Sequence, residues 1–280
     1  MSCLKKISDS LMSLGSVLLL SRPVGAAPRR AEERSLIVMG NGPSLRKTIN
    51  EDFEILMKAD RMAVNFAANA PDFFTLKPQH YVLADPHFFN GFSTDENVKN
   101  LWKNLCRADW PLTLHIPVKF RNRRPEGIVF PANISFEYFN LTPGEGFGWL
   151  TRFLYDRRLA TPRPRNVMIP AIMEGLAMGY TRIWLVGADH TWLHTLNVDD
   201  KNRVVSVQPH FYKDSPEELD RVAEEYKGYH LHDILQSMTI AFRSYHQLEY
   251  YAVKKGVEIF NATEGAMIDA FKRRPLRDLT

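Results

Sequence analysis

The sequence predicts an α/β fold, a Rossmann-like and mostly parallel sheet with helices on both faces. Two observations support this prediction. Short apolar runs of strand length alternate along the chain with amphipathic segments of helix length. Two of these runs, 35–39 and 182–186, stop at a glycine that is followed by polar side chains, as strands do at the carboxyl edge of a parallel sheet. A chain of 280 residues, 45% of them hydrophobic, can bury the core of one such domain.

Composition narrows the classes of partner and compartment. The formal net charge is only +4, and no basic stripe interleaved with aromatic residues crosses the body of the chain, so we expect no nucleic-acid partner. Many cations lie near the two ends, which suits an anionic membrane surface and equally suits solvated tails. Cys3 and Cys106 have no metal-binding or redox spacing, so a disulfide framework is excluded and a reducing compartment is expected.

Residues 1–34 form a separate N-terminal segment with two interpretations. Lys5-Lys6, the apolar run 11–20 and the small residues 24–26 are typical of a secretory signal. The same stretch also predicts an amphipathic helix that lies on a membrane, because apolar residues recur at three- and four-residue steps at Leu4, Ile7, Leu11, Leu14 and Leu18. The run is too short to span a bilayer. We favour the helix and a cytoplasmic protein with peripheral contact at the inner face of the membrane, with export as the alternative.

The stretch 35–45, SLIVMGNGPSL, is the predicted centre of the functional site. Its candidate binding residues are Gly40, Asn41, Gly42, Pro43 and Ser44. The glycines permit a sharp turn and close approach of a ligand, the asparagine offers an amide, and the proline fixes the exit direction. We expect bare backbone N–H groups at this turn, which suit a nucleotide. The motif is neither a dinucleotide-binding GxGxxG nor a Walker P-loop, since no Gly-Lys-Ser/Thr follows.

Polar side chains also follow three other predicted strands. Asn65 ends the second strand, Asp85 comes directly after the third, and Asp189 follows the run that ends at residue 186. Because the carboxyl ends of parallel strands meet at one edge of a sheet, we expect these side chains and Asn41 to surround one hollow. Candidates for contact with a departing phosphate follow further along the chain: Trp192, His194, Tyr212 and Lys213.

The remaining segments complete the alternating pattern in a catalytic domain over 35–280. Helices are predicted over 49–59, 95–107, 147–158, 166–178 and 231–255, strands over 61–66, 80–84, 112–117 and 257–260, and helical turns over 266–271. The stretch 193–230 predicts a lid-like excursion, with a hairpin arm at 204–207 and a capped helix start at 215–218.

The order of these motifs resembles the bacterial family-42 sialyltransferases of lipooligosaccharide assembly, over about residues 36–271. The resemblance is carried by LIVMGNGPSL at 36–45, Val64-Asn65, Asp85-Pro86 with Phe88-Phe89, and GYTRIWLVGAD at 179–189. It implies a sialyltransferase-like variant of the GT-A type of fold. It also implies transfer of sialic acid or a related sugar from a CMP-type nucleotide donor to a surface glycan or lipopolysaccharide acceptor, with no required cofactor.

The same resemblance implies roles for single residues. Asn41 and Asn65 would hold the cytidine nucleotide, and Asp189 would lie in the same pocket. A histidine ahead of the last long helix is the catalytic base in that family, and His232 is the best match, with His230 and His210 as rivals. An imidazole suits this task because it titrates near working pH.

Departures from that family keep two other hypotheses open. Asp85 stands where the family commonly has asparagine, and the family's tyrosines are absent after Asp189. The opening motif and NATEG at 261–265 also resemble the hydroxymethylpterin diphosphokinase-like group, which includes motility accessory proteins. That resemblance implies a pyrophosphoryl transferase whose Mg²⁺ would be bound by Asp85 and Asp189 through phosphate oxygens. The third hypothesis is a nucleotide-binding protein without catalysis, and each of the three is compatible with a homo-oligomer.

Overall fold

A computed structural model of the chain describes residues 2–27, 35–91, 94–123, 125, 127–198, 200, 202, 204–206 and 228–279. Within these residues the protein is α/β, with an eight-stranded, entirely parallel sheet and hydrophobic clusters on both of its faces beneath the helices. The predicted Rossmann-like fold class is confirmed.

The element bounds follow from the backbone. The helices are α1 (Cys3–Leu20), α2 (Ser44–Leu56), α3 (Asp72–Leu76), α4 (His87–Asn90), α5 (Glu96–Cys106), α6 (Gly148–Asp156), α7 (Met168–Ala177) and α8 (Leu231–Lys254). The strands are β1 (Ser35–Met39), β2 (Asp60–Val64), β3 (His80–Val82), β4 (Leu112–Pro117), β5 (Ile134–Phe139), β6 (Arg182–Val186), β7 (Leu196–Val198), β8 (Val204–Ser206), β9 (Glu258–Asn261) and β10 (Lys272–Arg273).

The strand order places a topological switch point at the centre of the sheet. The order is β10-β9-β6-β1-β2-β3-β4-β5, so the chain builds outward from β1 to β5 and then returns to the other side of β1 with β6. β1 and β6 pair over their whole length, from Ser35 opposite Arg182 to Met39 opposite Val186. In open parallel sheets ligands bind at the carboxyl ends of the two strands at such a point.

The two central strands are buried on both faces, as their unbroken apolar sequences predict. α7 packs close to β1 because Gly175 has no side chain, and a Cβ there would lie only 2.7 Å from a methyl carbon of Leu36. α5 begins at a capped end, where the Asp95 carboxylate accepts the backbone N–H of Asn97 at 2.8 Å. These local features fix the helices against the sheet.

The structure differs from the sequence prediction most clearly at the segment 266–271, at β5 and at the start of α2. The segment 266–271 is not helical: the Asn261 amide donates to the carbonyl of Ile268 at 3.1 Å, and the N–H of Met267 donates to the carbonyl of Asp189 at 2.9 Å. These bonds hold the segment against the end of the sheet, where it leads into β10. β5 was not predicted, because an edge strand with mixed burial has no continuous apolar run. The first helix after β1 starts at residue 44 and not at 49.

The excursion is described in part. β7 and β8 pair antiparallel as the predicted hairpin arm, with Leu196 opposite Ser206. The predicted helix start at 215–218 and the phosphate-contact candidates Tyr212 and Lys213 lie outside the described residues.

A chain of buried polar groups crosses the amino-terminal half of the sheet. The Tyr180 hydroxyl donates to Asp60 at 2.6 Å and lies 3.3 Å from His80 Nε2, and His80 Nδ1 lies 3.1 Å from His115 Nε2. His115 Nδ1 in turn lies 3.0 Å from Glu174, which also accepts from Arg158 at 2.8 Å. Connected networks of this kind are stable only while every member keeps its partners.

Glu174 is the anion on which this network depends. Burial opposes its ionisation, but the hydrogen bonds and charges of His115 and Arg158 outweigh burial and hold the pKa of the Glu174 carboxyl below its ordinary value. The charge of Arg158 is therefore compensated inside the core.

Replacing Glu174 by glutamine leaves Arg158 without its buried counterion. We expect the Glu174→Gln variant to lose about 3 kcal/mol in free energy of unfolding, measured by urea denaturation at pH 7. Glu54→Gln, the same change at an exposed position, serves as control and changes stability by less than about 0.5 kcal/mol. Equal losses for the two variants would contradict the role given to Glu174.

Candidate functional site

Two glycine turns lie against each other at the switch point. Gly40 N–H donates to the carbonyl of Val186 and Gly42 N–H donates to the carbonyl of Gly187, both at 2.8 Å. A Cβ on Gly40 or on Gly187 would collide with the backbone of the other turn, so only glycine fits either position. We expected bare N–H groups at this turn. That expectation is wrong for Gly40 and Gly42, because carbonyl groups at the end of β6 accept both N–H groups.

Asp189 connects the β6 turn to the start of α2. Its carboxylate accepts the Ser44 hydroxyl at 2.8 Å and the Ser44 backbone N–H at 3.3 Å. Pro43 stands at the N-cap of α2 and provides no side-chain cap, so the distant aspartate does so. Gly42 is required here as well, because a Cβ would overlap the Asp189 carboxylate. The predicted site residues 40, 42, 43, 44 and 189 thus form one connected unit.

Asn41 and Asn65 lie side by side at the ends of β1 and β2. The Asn41 amide donates to the carbonyl of Val64 at 3.1 Å, which orients its Oδ1 away from that bond. Asn65 has a left-handed backbone conformation, with φ of 50°, and its carbonyl accepts a short hydrogen bond from the Tyr81 hydroxyl. Both Oδ1 atoms are buried and, within the described part of the chain, have no hydrogen-bond partner. Buried acceptors and a strained backbone of this kind concentrate at ligand sites.

A second polar chain borders the β6 turn. His190 Nε2 lies 2.6 Å from the Tyr245 hydroxyl, which lies 2.9 Å from Asn166 Oδ1. Because Asn166 Oδ1 also accepts the N–H of Met168 at 3.1 Å, the tyrosine donates to it and His190 donates to the tyrosine. His190 therefore carries a proton on Nε2, and in the neutral imidazole this arrangement leaves Nδ1 as an acceptor.

The surroundings of His190 agree with the neutral form. Burial lowers the pKa of its imidazole from 6.5 to about 3. Its ring packs on Trp192 with 4.2 Å between centroids, and its φ of 52° is left-handed. The Nδ2 of Asn166 is buried without a partner among the described residues. Sequence reasoning did not include His190, Tyr245 and Asn166 in the site, since nothing in the sequence marks a positive φ or a contact between distant segments.

Two further predicted site residues lie at the margin. Asp85 follows β3 at the same sheet edge, is exposed, and accepts the N–H of His87 at 2.8 Å, so one of its oxygens starts α4. His194 is exposed in the short 3-10 turn after Trp192. In the part of the chain that the structure describes, no three His, Cys, Asp or Glu side chains are placed to hold a metal ion.

The structure does not bring His232 to this cluster. Its side chain is 77% exposed, lies 3.3 Å from the Asp233 carboxylate and stacks on the ring of His230. His232 and Tyr245 are thirteen positions apart in α8, and this separation corresponds to about 20 Å along the helix axis. Its role as the base stays a prediction, and the rival His210 lies outside the described residues.

A comparison with solved structures finds a similarity of fold. No protein-family model matches the chain, and no curated protein matches it. The fold is similar to that of the MAf glycosyltransferase from Magnetospirillum magneticum AMB-1, with a TM-score of 0.49 and 11% sequence identity over 98% of this chain and 39% of that chain. The chain thus spans about two fifths of that protein's length.

The lowered pKa of the buried His190 predicts how the free energy of unfolding changes at acid pH. Its pKa is about 3 in the folded protein and near 6.5 once unfolded, so below pH 6.5 the unfolded state binds the extra proton and stability falls as pH falls. This contribution is absent from His190→Asn, a change that the left-handed backbone tolerates. Between pH 6.5 and 5, the difference in free energy of unfolding between wild type and variant should therefore shrink by about 1.4 kcal/mol per pH unit.

Urea denaturation at a series of pH values measures this difference. His246→Gln, which removes an exposed imidazole, is the control and should run parallel to the wild type. A His190→Asn curve parallel to the wild type would show that His190 is protonated in the folded protein.

Proposed function

We propose that the carboxyl ends of β1 and β2, beside the switch point of the sheet, bind the nucleotide of an activated sugar and that the protein is a glycosyltransferase. The observation that supports this is the pair of buried acceptors, Asn41 Oδ1 and Asn65 Oδ1, at the switch point of a parallel sheet. Each unpaired atom costs the ligand-free fold about 1–3 kcal/mol. Nucleosides carry hydroxyl and amino donors that pair such acceptors, and binding would recover that cost.

The proposed identity of the sugar and of the nucleotide is based on the sequence motifs at the ends of the strands. The resemblance of 36–45, Asn65 and 179–189 to the family-42 sialyltransferases supports a CMP-type donor of sialic acid or a related sugar. In this proposal Asn41 and Asn65 anchor the nucleoside, while Asp189 holds Ser44 and with it the start of α2. The acceptor is a surface glycan or glycolipid, as in lipopolysaccharide synthesis.

The proposed transfer is a single displacement. The bond between the anomeric carbon and the phosphate oxygen breaks, and its electron pair leaves with the CMP phosphate. The acceptor hydroxyl oxygen forms the new bond to the anomeric carbon and gives its proton to the base, for which His232 is the candidate. Trp192 packs on His190, and His194 lies in the same 3-10 turn as Trp192; both are candidates for contact with the departing phosphate.

Nucleotide binding is tested first with Asn65→Gly. Glycine adopts the left-handed backbone of position 65 without strain, so this change removes the amide and keeps the fold. We expect CMP to raise the melting temperature of the wild type in a panel of CMP, UDP, GDP and ATP. The variant should bind CMP about 10- to 100-fold more weakly, because a donor group of the nucleotide loses its acceptor, Asn65 Oδ1.

The control is Lys77→Gly, which removes a side chain from the same backbone conformation ahead of β3, at the other edge of the sheet. It should bind CMP like the wild type. If none of the four nucleotides raises the melting temperature of the wild type, the assignment of a nucleotide site at Asn41 and Asn65 is overturned.

Turnover then separates the hypotheses. Release of CMP from a CMP-sugar, reduced in His232→Ala, would support glycosyl transfer. Conversion of ATP to AMP that requires Mg²⁺ would identify a pyrophosphoryl transferase instead. Nucleotide binding unchanged in His232→Ala, with neither turnover, would identify a binding protein without catalysis.

A further inference from the structure

The N-terminal helix α1 is docked on the protein through serines. Ser13 donates to the carbonyl of Glu145 at 2.9 Å and accepts its N–H at 2.8 Å, and Ser10 accepts the N–H of Phe147 at 3.0 Å. Between them, Gly146 lies so close to Ser10 that a Cβ would collide with it. The polar side of α1 therefore faces the protein.

The chain beyond α1 is fixed in the same way. The Ser21 hydroxyl donates to Leu159 at 2.7 Å, and the Asn140 side chain bonds both the N–H and the carbonyl of Arg22, at 3.0 and 2.8 Å. The helix is thus held at its middle and at its carboxyl end, and hydrogen bonds set its rotation about its own axis.

This docking turns the leucines of α1 outward, which inverts the usual pattern of a surface helix. Leu4, Leu11 and Leu18 are 79%, 66% and 82% exposed, and Ile7 and Leu14 lie on the same face. No described helix, α1 included, is long and apolar enough to cross a bilayer. An exposed apolar surface of this extent on a fixed helix requires an apolar partner.

The width of the apolar surface favours a bilayer over a second helix. A two-helix seam uses a narrow stripe of side chains, whereas Leu18, Leu19 and Leu20 point in three directions 100° apart and are all exposed. Met12 is exposed as well. An acyl layer can cover such a wide arc, and one facing helix cannot.

A basic cleft of about 330 Å³ opens along one flank of α1. Lys5 and Asp9 from α1 line it, together with Glu145, Arg163, Arg165 and Arg243. Glu145 holds the guanidinium groups of Arg163 at 2.5 Å and of Arg243 at 3.2 Å, so two cations are oriented by one carboxylate. The lining carries four cations against two carboxylates, and fixed guanidinium groups are well suited to phosphate.

From these contacts we infer that α1 seats the protein on an anionic phospholipid bilayer, with its leucines among the acyl chains and a lipid headgroup phosphate in the basic cleft. On the helix circumference, Lys5 and Asp9 lie between the outward leucine face and the serine face that contacts the protein. In an interfacial helix that flank lies at the depth of the headgroups. This inference does not depend on the proposed transferase activity.

The contact between the leucines of α1 and the acyl chains is tested by flotation of the full chain with vesicles. One set of vesicles contains phosphatidylcholine alone, and the other contains about 30% phosphatidylglycerol as the anionic lipid. The wild type should float with the anionic vesicles. The triple variant Leu4→Ser/Leu11→Ser/Leu18→Ser should bind at least about 100-fold more weakly, with an unchanged melting temperature because all three residues are exposed. Met57→Ser/Val129→Ser, which changes exposed apolar residues outside α1, should bind like the wild type.

The headgroup contact is tested with Lys5→Gln/Arg243→Gln on the same vesicles. We expect binding to weaken about 30-fold, while Lys58→Gln/Lys103→Gln, which neutralises two exposed cations elsewhere, has little effect. Equal binding to neutral and anionic vesicles would overturn the headgroup site. So would stabilisation by inorganic phosphate that Lys5→Gln/Arg243→Gln abolishes without any change in vesicle binding, since the cleft would then bind free phosphate.

The competing occupant of the leucine face is a second copy of the chain. Light scattering of wild type and triple variant separates the two. A wild-type dimer that becomes monomeric in the triple variant, with no vesicle binding by either protein, would overturn the proposal.

Discussion

The structure depends on the close approach of two backbone turns, one after β1 and one after β6. Both strands are fully paired with each other, so their ends arrive at the same height, and the glycines at 40, 42 and 187 let the turns touch. The N–H groups of Gly40 and Gly42 are used in that contact. These two groups are therefore not free to bind a phosphate, and the polar groups at this edge are the side-chain amides of Asn41 and Asn65.

Buried polar groups divide into two kinds across the sheet. In the network of Glu174, Arg158 and His115, each side chain is bonded to the next, and charge is compensated within the core. At the carboxyl edge, Asn41 Oδ1, Asn65 Oδ1 and Asn166 Nδ2 are buried without partners among the described residues. The first arrangement stabilises the fold, and the second costs stability unless a polar ligand completes it. Arg158 Nε, Thr161 Oγ1 and Trp184 Nε1 are also buried without partners among the described residues, so the candidate site is marked by the position of its asparagines at the carboxyl edge and not by unpaired atoms alone.

The N-terminal helix shows that sequence amphipathicity does not by itself say which face is buried. The heptad-like leucines of α1 would be the core face of an ordinary surface helix. Here the serines make the specific bonds to 145–147, and these bonds turn the leucines outward. A basic cleft then lies along the same helix, so apolar and cationic surfaces adjoin.

Local sequence patterns were sufficient to predict the fold class, the strands 112–117 and 182–186 with their bounds, and the position of residues 40–44, 65, 85 and 189 at one edge of the sheet. The spacing of apolar residues and the glycines that end the strands are local properties of the chain. Contacts between distant segments establish that Asp189 caps α2 and that the N–H groups of Gly40 and Gly42 donate to backbone carbonyls at the end of β6. They also establish that His190, Tyr245 and Asn166 are connected by hydrogen bonds. Only the tertiary structure left His232 exposed at the far end of α8. Those facts depend on contacts between segments up to about 145 residues apart, which no local pattern encodes.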